Sequence, residues 1–171
     1  DKNQILVTST KRGVGTSTVA ISLARQIAAH GSKVLLVDAD ISNPALSNCL
    51  GLTQQLSWVQ AISKRRAPNQ IIIKQKASPV SLMPLNRVVN HVGWPRKIYD
   101  ELAKIANPTA WNYDVVIIDA GPASQLITES SSLKLQLAIT LLVTGKNLSS
   151  DHLLLRTETD LLSLGIKDLL I

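Results

Sequence analysis

Aliphatic runs that are each followed by a turn and a helical pattern constrain the fold of this chain more than any other feature. Four such runs recur along the sequence, over residues 4–9, 33–37, 114–119 and 137–143. Continuous runs of Ile, Val and Leu are typical of strands buried on both faces of a parallel sheet. The recurring strand–turn–helix order therefore predicts an α/β fold: a doubly wound, mainly parallel sheet flanked by helices.

Helical and short strand patterns fill the segments between these runs. An apolar face formed by Val19, Leu23 and Ile27 predicts a helix over residues 17–30, which Gly31 would end. Further helices are predicted over residues 44–50, 57–63, 97–106 and 150–164, and further strands over residues 71–73, 82–85 and 167–171.

Length and composition fit one folded domain. The chain has 171 residues, of which 45% are hydrophobic and 18% charged, a globular rather than a disordered composition. It opens without an initiator methionine, and residues 1–171 are expected to be a single domain taken from a longer chain. The lone Cys49 is expected to pack as a small hydrophobic residue.

Charge and hydropathy narrow the choice of partners. The net charge of +6 permits an anionic partner such as a nucleotide, a nucleic acid or an acidic membrane surface. Base-stacking aromatic residues interleaved with basic ones are not evident, so no nucleic-acid partner is expected. No apolar run reaches the roughly 18 residues that a membrane span needs, and a cytoplasmic location is expected.

The loop between the first strand and the first helix has the composition of a phosphate-binding loop. Gly13 and Gly15 would let its backbone N–H groups turn toward an anion, which the positive end of the following helix dipole would also face. The hydroxyl of Ser17 lies where such loops hold Mg²⁺. The candidate nucleotide-binding residues are Lys11, Arg12, Gly13, Val14, Gly15, Thr16, Ser17 and Thr18.

Two positions depart from the G-x-x-x-x-G-K-[ST] pattern of these loops. Thr10 stands at the first glycine, and Thr16 stands at the lysine. That lysine reaches the β- and γ-phosphates and counters the charge that develops during phosphoryl transfer. Losing one charged contact to phosphate costs about 1.5–3 kcal/mol of binding free energy, part of which Lys11 or Arg12 could offset. We therefore expect weak nucleotide binding or poor catalysis.

Carboxylates follow two of the predicted strands. Asp38 and Asp40 come after KVLLV, and Asp119 ends DVVIID in the Walker B pattern, which places it to bind Mg²⁺. The carboxyl ends of parallel strands meet on the ligand side of an open α/β sheet. One member of the Asp38–Asp40 pair would then hold Mg²⁺ through water, and the other would orient a nucleophile.

A dinucleotide-binding fold is the nearest alternative. Gly13-x-Gly15-x-x-Thr18 followed by Asp38 is similar to its glycine fingerprint and its ribose-binding acid. Thr18 replaces the third glycine, however, and this alternative leaves the segment that ends in Asp119 unexplained. The phosphate-binding loop of a P-loop NTPase is the better interpretation.

Four segments resemble the bacterial tyrosine-kinase (BY-kinase) and polysaccharide co-polymerase family, within the wider MinD/ParA class. They are similar to its Walker A, Walker A′, Leu-Pro strand-end and Walker B segments, and they read LVTSTKRGVGTSTVAISLA, VLLVDADISNPALSNCLGL, LMPLN and YDVVIIDAGP. The A′ segment, with Asn43 and Pro44 after the acidic pair, is the most specific. The resemblance runs across most of the chain.

The resemblance implies a cytoplasmic domain at the inner face of a bacterial inner membrane, joined to a chain-length regulator of exopolysaccharide export. It implies ATP or ADP with Mg²⁺ as cofactors, a homo-oligomer, and membrane-associated polysaccharide export machinery as partner. Ser17, Asp38 and Asp119 would hold Mg²⁺, while Asp40 and Lys11 would serve catalysis. Lys11 matches the signature lysine of MinD/ParA proteins, which reaches a partner's nucleotide across a dimer.

Departures from the family pattern limit the activity to expect. Thr16 replaces the loop lysine, and Tyr99 and Tyr113 are the only tyrosines of this sequence, so no tyrosine cluster is present. These departures predict a degenerate kinase-like domain with impaired ATP chemistry, and they leave open whether it is an enzyme. Some pilus-assembly members of the MinD/ParA class also lack the loop lysine, so a localisation or pilus-assembly module that acts through oligomerisation is the alternative.

Overall fold

The computed structural model describes residues 3–52, 55–64, 66–67, 70–74, 78–86, 98–106, 111–129, 135, 137–145 and 150–171. Its strands are β1 (Gln4–Ser9), β2 (Val34–Asp38), β3 (Ile73–Lys74), β4 (Val80–Met83), β5 (Val115–Pro122), β6 (Leu137–Val143) and β7 (Leu169–Leu170). Its helices are α1 (Thr16–Ala29), α2 (Ala45–Cys49), α3 (Trp58–Ser63), α4 (Ile98–Ile105), α5 (Ala123–Glu129) and α6 (Asp151–Ser163). None of these described helices is long and apolar enough to cross a membrane.

The strands form one sheet in the order β3-β4-β2-β5-β1-β6-β7. The pairs between neighbours are parallel except for β3 with β4, which is antiparallel. The prediction of an α/β fold with a doubly wound, mainly parallel sheet is confirmed. Because β5 lies between β1 and β2, the strands that lead into the three candidate motifs are adjacent, and Asp38 pairs in register with Asp119.

Two apolar layers cover the sheet, one on each face. Along β2, Val34 and Leu36 pack in the layer that contains the alanines of α1, whereas Leu35 and Val37 pack in the layer that contains Trp58. This alternation follows from the two-residue period of a strand. Burial on both faces explains why the sequence of β2 is continuously apolar.

The strands predicted over residues 71–73 and 82–85 are displaced to β3 and β4, and two further features differ from the sequence predictions. Helix α5 was not predicted, because Gly121 and Pro122 indicate a loop. In the structure, β5 continues through this pair and α5 begins directly after it. The expected burial of Cys49 is wrong, since this cysteine is exposed at the end of α2. The buried positions of that short helix are taken by Leu46 and Ser47.

Candidate functional site

A cleft with a volume of about 270 Å³ lies at the carboxyl ends of β1 and β5, beside the segment that follows β2. The predicted loop residues that line it are Arg12, Gly13, Gly15, Thr16, Ser17 and Thr18. Its other walls are formed by Ser9, Asp40, Asn43, Ala45, Gly121 and Pro122. The structure therefore brings the glycine-containing loop, Asp40 and the end of β5 around one cavity.

Helix α1 begins at this cleft and leaves its N-terminus open. Gly15 is the N-cap and has a φ of 98°, while Gly13 has a φ of 81°, so both adopt a backbone conformation that other residues rarely reach. Gly15 has no side chain to cap the helix, and the first turn contains no acidic residue. The first N–H groups of a helix lack intrahelical partners, and together with the helix dipole they make this end attractive to an anion.

Asp119 holds an oxygen atom without a partner next to the cleft. The residue is fully buried, and its Oδ1 accepts a hydrogen bond from the Gly121 N–H at 3.4 Å. Its Oδ2 has no hydrogen-bond partner among the described residues. Burial raises the pKa of Asp119 to about 6, and the nearby Ser17 side chain opposes this rise. A buried carboxylate oxygen beside a serine hydroxyl is chemically suited to a hard divalent cation.

Asp38 is committed to the protein's own structure. Its Oδ2 accepts hydrogen bonds from the backbone N–H of Ser47 at 2.8 Å and from the Ser47 hydroxyl at 2.7 Å. The Ser47 oxygen also accepts the Leu85 N–H at 2.9 Å, and the Trp58 indole donates to the Asp38 carbonyl at 2.8 Å. Burial raises the pKa of Asp38 to about 7. These contacts join the end of β2 to α2 and to the segment after β4.

Asp40 forms a wall of the cleft and is held from several sides. Its Oδ1 accepts hydrogen bonds from the Gln125 side chain at 2.8 Å and from the Asn43 N–H at 3.0 Å, and Arg12 pairs with the carboxylate. Gly121 packs directly against it, because a Cβ atom at that position would lie 2.4 Å from Asp40 Oδ2. With a φ of 63° as well, position 121 requires glycine.

The remaining predicted residues and several unpredicted ones complete the site. Lys11 is half-buried, and neither Lys11 nor Val14 lines the cleft. Sequence reasoning missed Ser9, whose buried hydroxyl lines the cleft without a hydrogen-bond partner among the described residues. It also missed Gln125, because α5 was not predicted. The sequence offers no local signal for either, since a serine at a strand end or a glutamine on a short helix is common.

Comparisons with known proteins match the chain to P-loop NTPases, the class that the phosphate-binding loop indicates. The chain matches the ParA family, described as NUBPL iron-transfer P-loop NTPase, over residues 1–151. It is 32% identical over 129 residues to an iron-sulfur cluster carrier protein of Haemophilus influenzae, covering 72% of this chain and 33% of that protein. The chain therefore spans about a third of the length of this relative.

Two solved structures have the same fold at low sequence identity. The kinase domain of the Escherichia coli tyrosine kinase ETK superposes with a TM-score of 0.81 at 19% identity, covering 98% of this chain and 65% of that one. The septum site-determining protein MinD of Pyrococcus horikoshii, solved with Mg-ADP, gives a TM-score of 0.80 at 23% identity, covering 99% and 68%. With the family match extending over most of the sequence, the chain belongs to the ParA family of P-loop NTPases.

Proposed function

We propose that the cleft binds Mg–ATP or Mg–ADP and that turnover of ATP in it is slow. The observation that carries the proposal is an open helix N-terminus at the cleft together with the unpartnered, buried Oδ2 of Asp119, which does not line the cleft itself but lies two residues before Gly121 of its wall. The helix end supplies N–H donors for phosphate oxygens, and the carboxylate supplies a ligand for the cation that accompanies a nucleotide.

Each part of the cleft has a role in this proposal. The backbone N–H groups of the loop residues that line the cleft would bind the phosphates, and Ser17 and Asp119 would hold Mg²⁺, which usually keeps several waters and binds through one or two carboxylates. When bound, the ion neutralises charge on the phosphate oxygens. Asp38 supports this site by fixing the end of β2 through Ser47 and, if it contacts the ion, does so through water.

Slow turnover follows from the residue at position 16. Thr16 is buried and lines the cleft at the position where P-loops have lysine. A threonine hydroxyl donates a hydrogen bond but brings no positive charge to a leaving phosphoryl group. The roles proposed for Asp40 in orienting a nucleophile and for Lys11 in reaching a partner's nucleotide would act on a reaction that already lacks this charge.

The proposed setting is a degenerate BY-kinase-like domain of an exopolysaccharide export protein, working as a homo-oligomer at the inner face of a bacterial inner membrane. The A, A′ and B segments and the likeness to a tyrosine kinase domain support it. The fold likeness to MinD supports the alternative, a localisation or pilus-assembly module. The match to a family described as NUBPL iron-transfer P-loop NTPase and the identity to an iron-sulfur cluster carrier protein support a second alternative, an iron–sulfur carrier role.

Calorimetric titration with ATP and with ADP, each with and without Mg²⁺, tests the proposal. The native protein is expected to give saturable binding that Mg²⁺ strengthens and that Ser17→Ala makes insensitive to Mg²⁺. Ser22→Ala, the same change at an exposed position of α1, should bind like the native protein. Phosphate release should stay slow at saturating ATP. The proposal is wrong if none of these proteins binds either nucleotide.

A further inference from the structure

Arg12 and Asp40 both line the cleft and form an ion pair with each other. Its Nη1 lies 3.0 Å from Asp40 Oδ2 and its Nη2 lies 3.3 Å from Asp40 Oδ1, so the two groups meet as a fork. The same Nη2 donates to the Ser42 hydroxyl at 2.5 Å. Such paired, charge-assisted bonds are among the stronger and more directional ones in proteins.

The two partners of this ion pair differ in how firmly they are held. The side chain of Asp40 is only 7% exposed, and Gln125, the Asn43 N–H and the packing of Gly121 fix it in place. The side chain of Arg12 is 45% exposed and lines the cleft. The guanidinium is therefore the more exposed and less constrained partner, while the surrounding contacts hold the carboxylate in place.

A positively charged side chain in the cleft would stabilise bound phosphate. Thr16 brings no charge to the phosphate position. Among the described residues that line the cleft, Arg12 is the only arginine or lysine. A guanidinium binds phosphate with the same planar fork that it offers a carboxylate. A nucleotide whose phosphates enter the cleft would thus meet a guanidinium already bound to a carboxylate.

We propose that Arg12 is the phosphate-binding cation of this cleft and that Asp40 holds it until a nucleotide enters. The terminal phosphate and the Asp40 carboxylate then compete for one guanidinium, and binding releases Asp40 from it. This inference rests on the proposed function, since it assumes that nucleotide phosphates occupy the cleft. It predicts that removing the Asp40 carboxylate strengthens nucleotide binding, whereas removing an ordinary binding residue weakens it.

A double-mutant cycle measured with Mg²⁺ and a non-hydrolysable ATP analogue tests the competition. Arg12→Ala should weaken binding about 10- to 100-fold, the range for one charged hydrogen-bonded contact. Asp40→Asn should tighten binding several-fold, because it removes the competitor. In the Arg12→Ala background, Asp40→Asn should give no further gain. Arg156→Ala removes the same charge from a side chain that is 74% exposed on α6 and should change nothing.

Three outcomes would overturn the inference. Arg12→Ala could bind as well as the native protein, or Asp40→Asn could weaken binding. The gain from Asp40→Asn could also persist without Arg12, which would show plain repulsion between the carboxylate and the phosphates. Each of these leaves the proposed function standing. Absence of binding by every variant, with Thr16→Lys included, would instead remove the proposed function itself. Unfolding curves for each variant show whether it is folded.

Discussion

Replacing Thr16 by lysine is expected to tighten Mg–ATP binding about 10- to 100-fold, because it returns to the loop the charged side chain that the pattern requires. Thr16 is the first residue of α1, only 8% exposed, and it lines the cleft. A lysine there extends from the helix N-terminus toward the phosphates. The rate of phosphate release should rise by a larger factor than the binding affinity, since the charge that lysine stabilises is greatest in the transition state.

Thr16→Met is the matched control for this prediction. Methionine is about as long as lysine but uncharged, so it should give no gain in affinity and no gain in turnover. Calorimetry with Mg–ATP and a phosphate-release assay on both variants separate charge from bulk. Equal behaviour of the two variants, with the native protein still binding, would show that the missing lysine is not what limits this site.

Replacing Asp119 by asparagine should stabilise the nucleotide-free protein and at the same time remove the effect of Mg²⁺ on nucleotide binding. Burial raises the pKa of Asp119 from 3.8 to about 6, so the folded state binds the proton more tightly than the unfolded state does. The contribution of Asp119 to stability therefore falls as pH rises from about 4 to about 6 and stays low above that. At pH 8 the substitution should raise the free energy of unfolding by on the order of 2 kcal/mol.

Two measurements check this prediction. Denaturant unfolding without Mg²⁺, at pH 5 and at pH 8, should show a gain for Asp119→Asn at pH 8 and a smaller one at pH 5. Calorimetry should show nucleotide binding that no longer responds to Mg²⁺. Asp114→Asn, an exposed change just before the same strand, should leave the Mg²⁺ response intact. A less stable Asp119→Asn that keeps its Mg²⁺ response would contradict both the electrostatic argument and the assignment.

The sequence predicted those parts of the fold and site that depend on local patterns. Apolar runs located the central strands, and the glycines at positions 13 and 15 located the turn into α1. Asp119 was placed at the ligand edge because carboxyl ends of parallel strands meet there. Each of these signals is contained within about ten residues of chain, so it can be recognised without knowledge of the tertiary structure.

Contacts between distant segments could not be predicted in the same way. Asp38 is predicted to bind Mg²⁺, and this remains a prediction. Its hydrogen bonds with Ser47 could not be predicted, because they depend on α2 packing against β2. The hydrogen bond between Asp40 and Gln125 joins residues 85 positions apart. It depends on α5, which was not predicted because the preceding Gly-Pro pair indicates a loop. The Arg12–Asp40 fork likewise depends on the side-by-side order of β1, β5 and β2.

A crystal structure of the protein with Mg–ADP tests the central claim most directly, because the claim concerns where a nucleotide binds. The account predicts the β-phosphate at the N-terminus of α1, within hydrogen-bond distance of backbone N–H groups of residues 13–17, with Mg²⁺ against Ser17 and near Asp119. ADP bound elsewhere on the molecule, or a cleft that stays empty at saturating Mg–ADP, would contradict it.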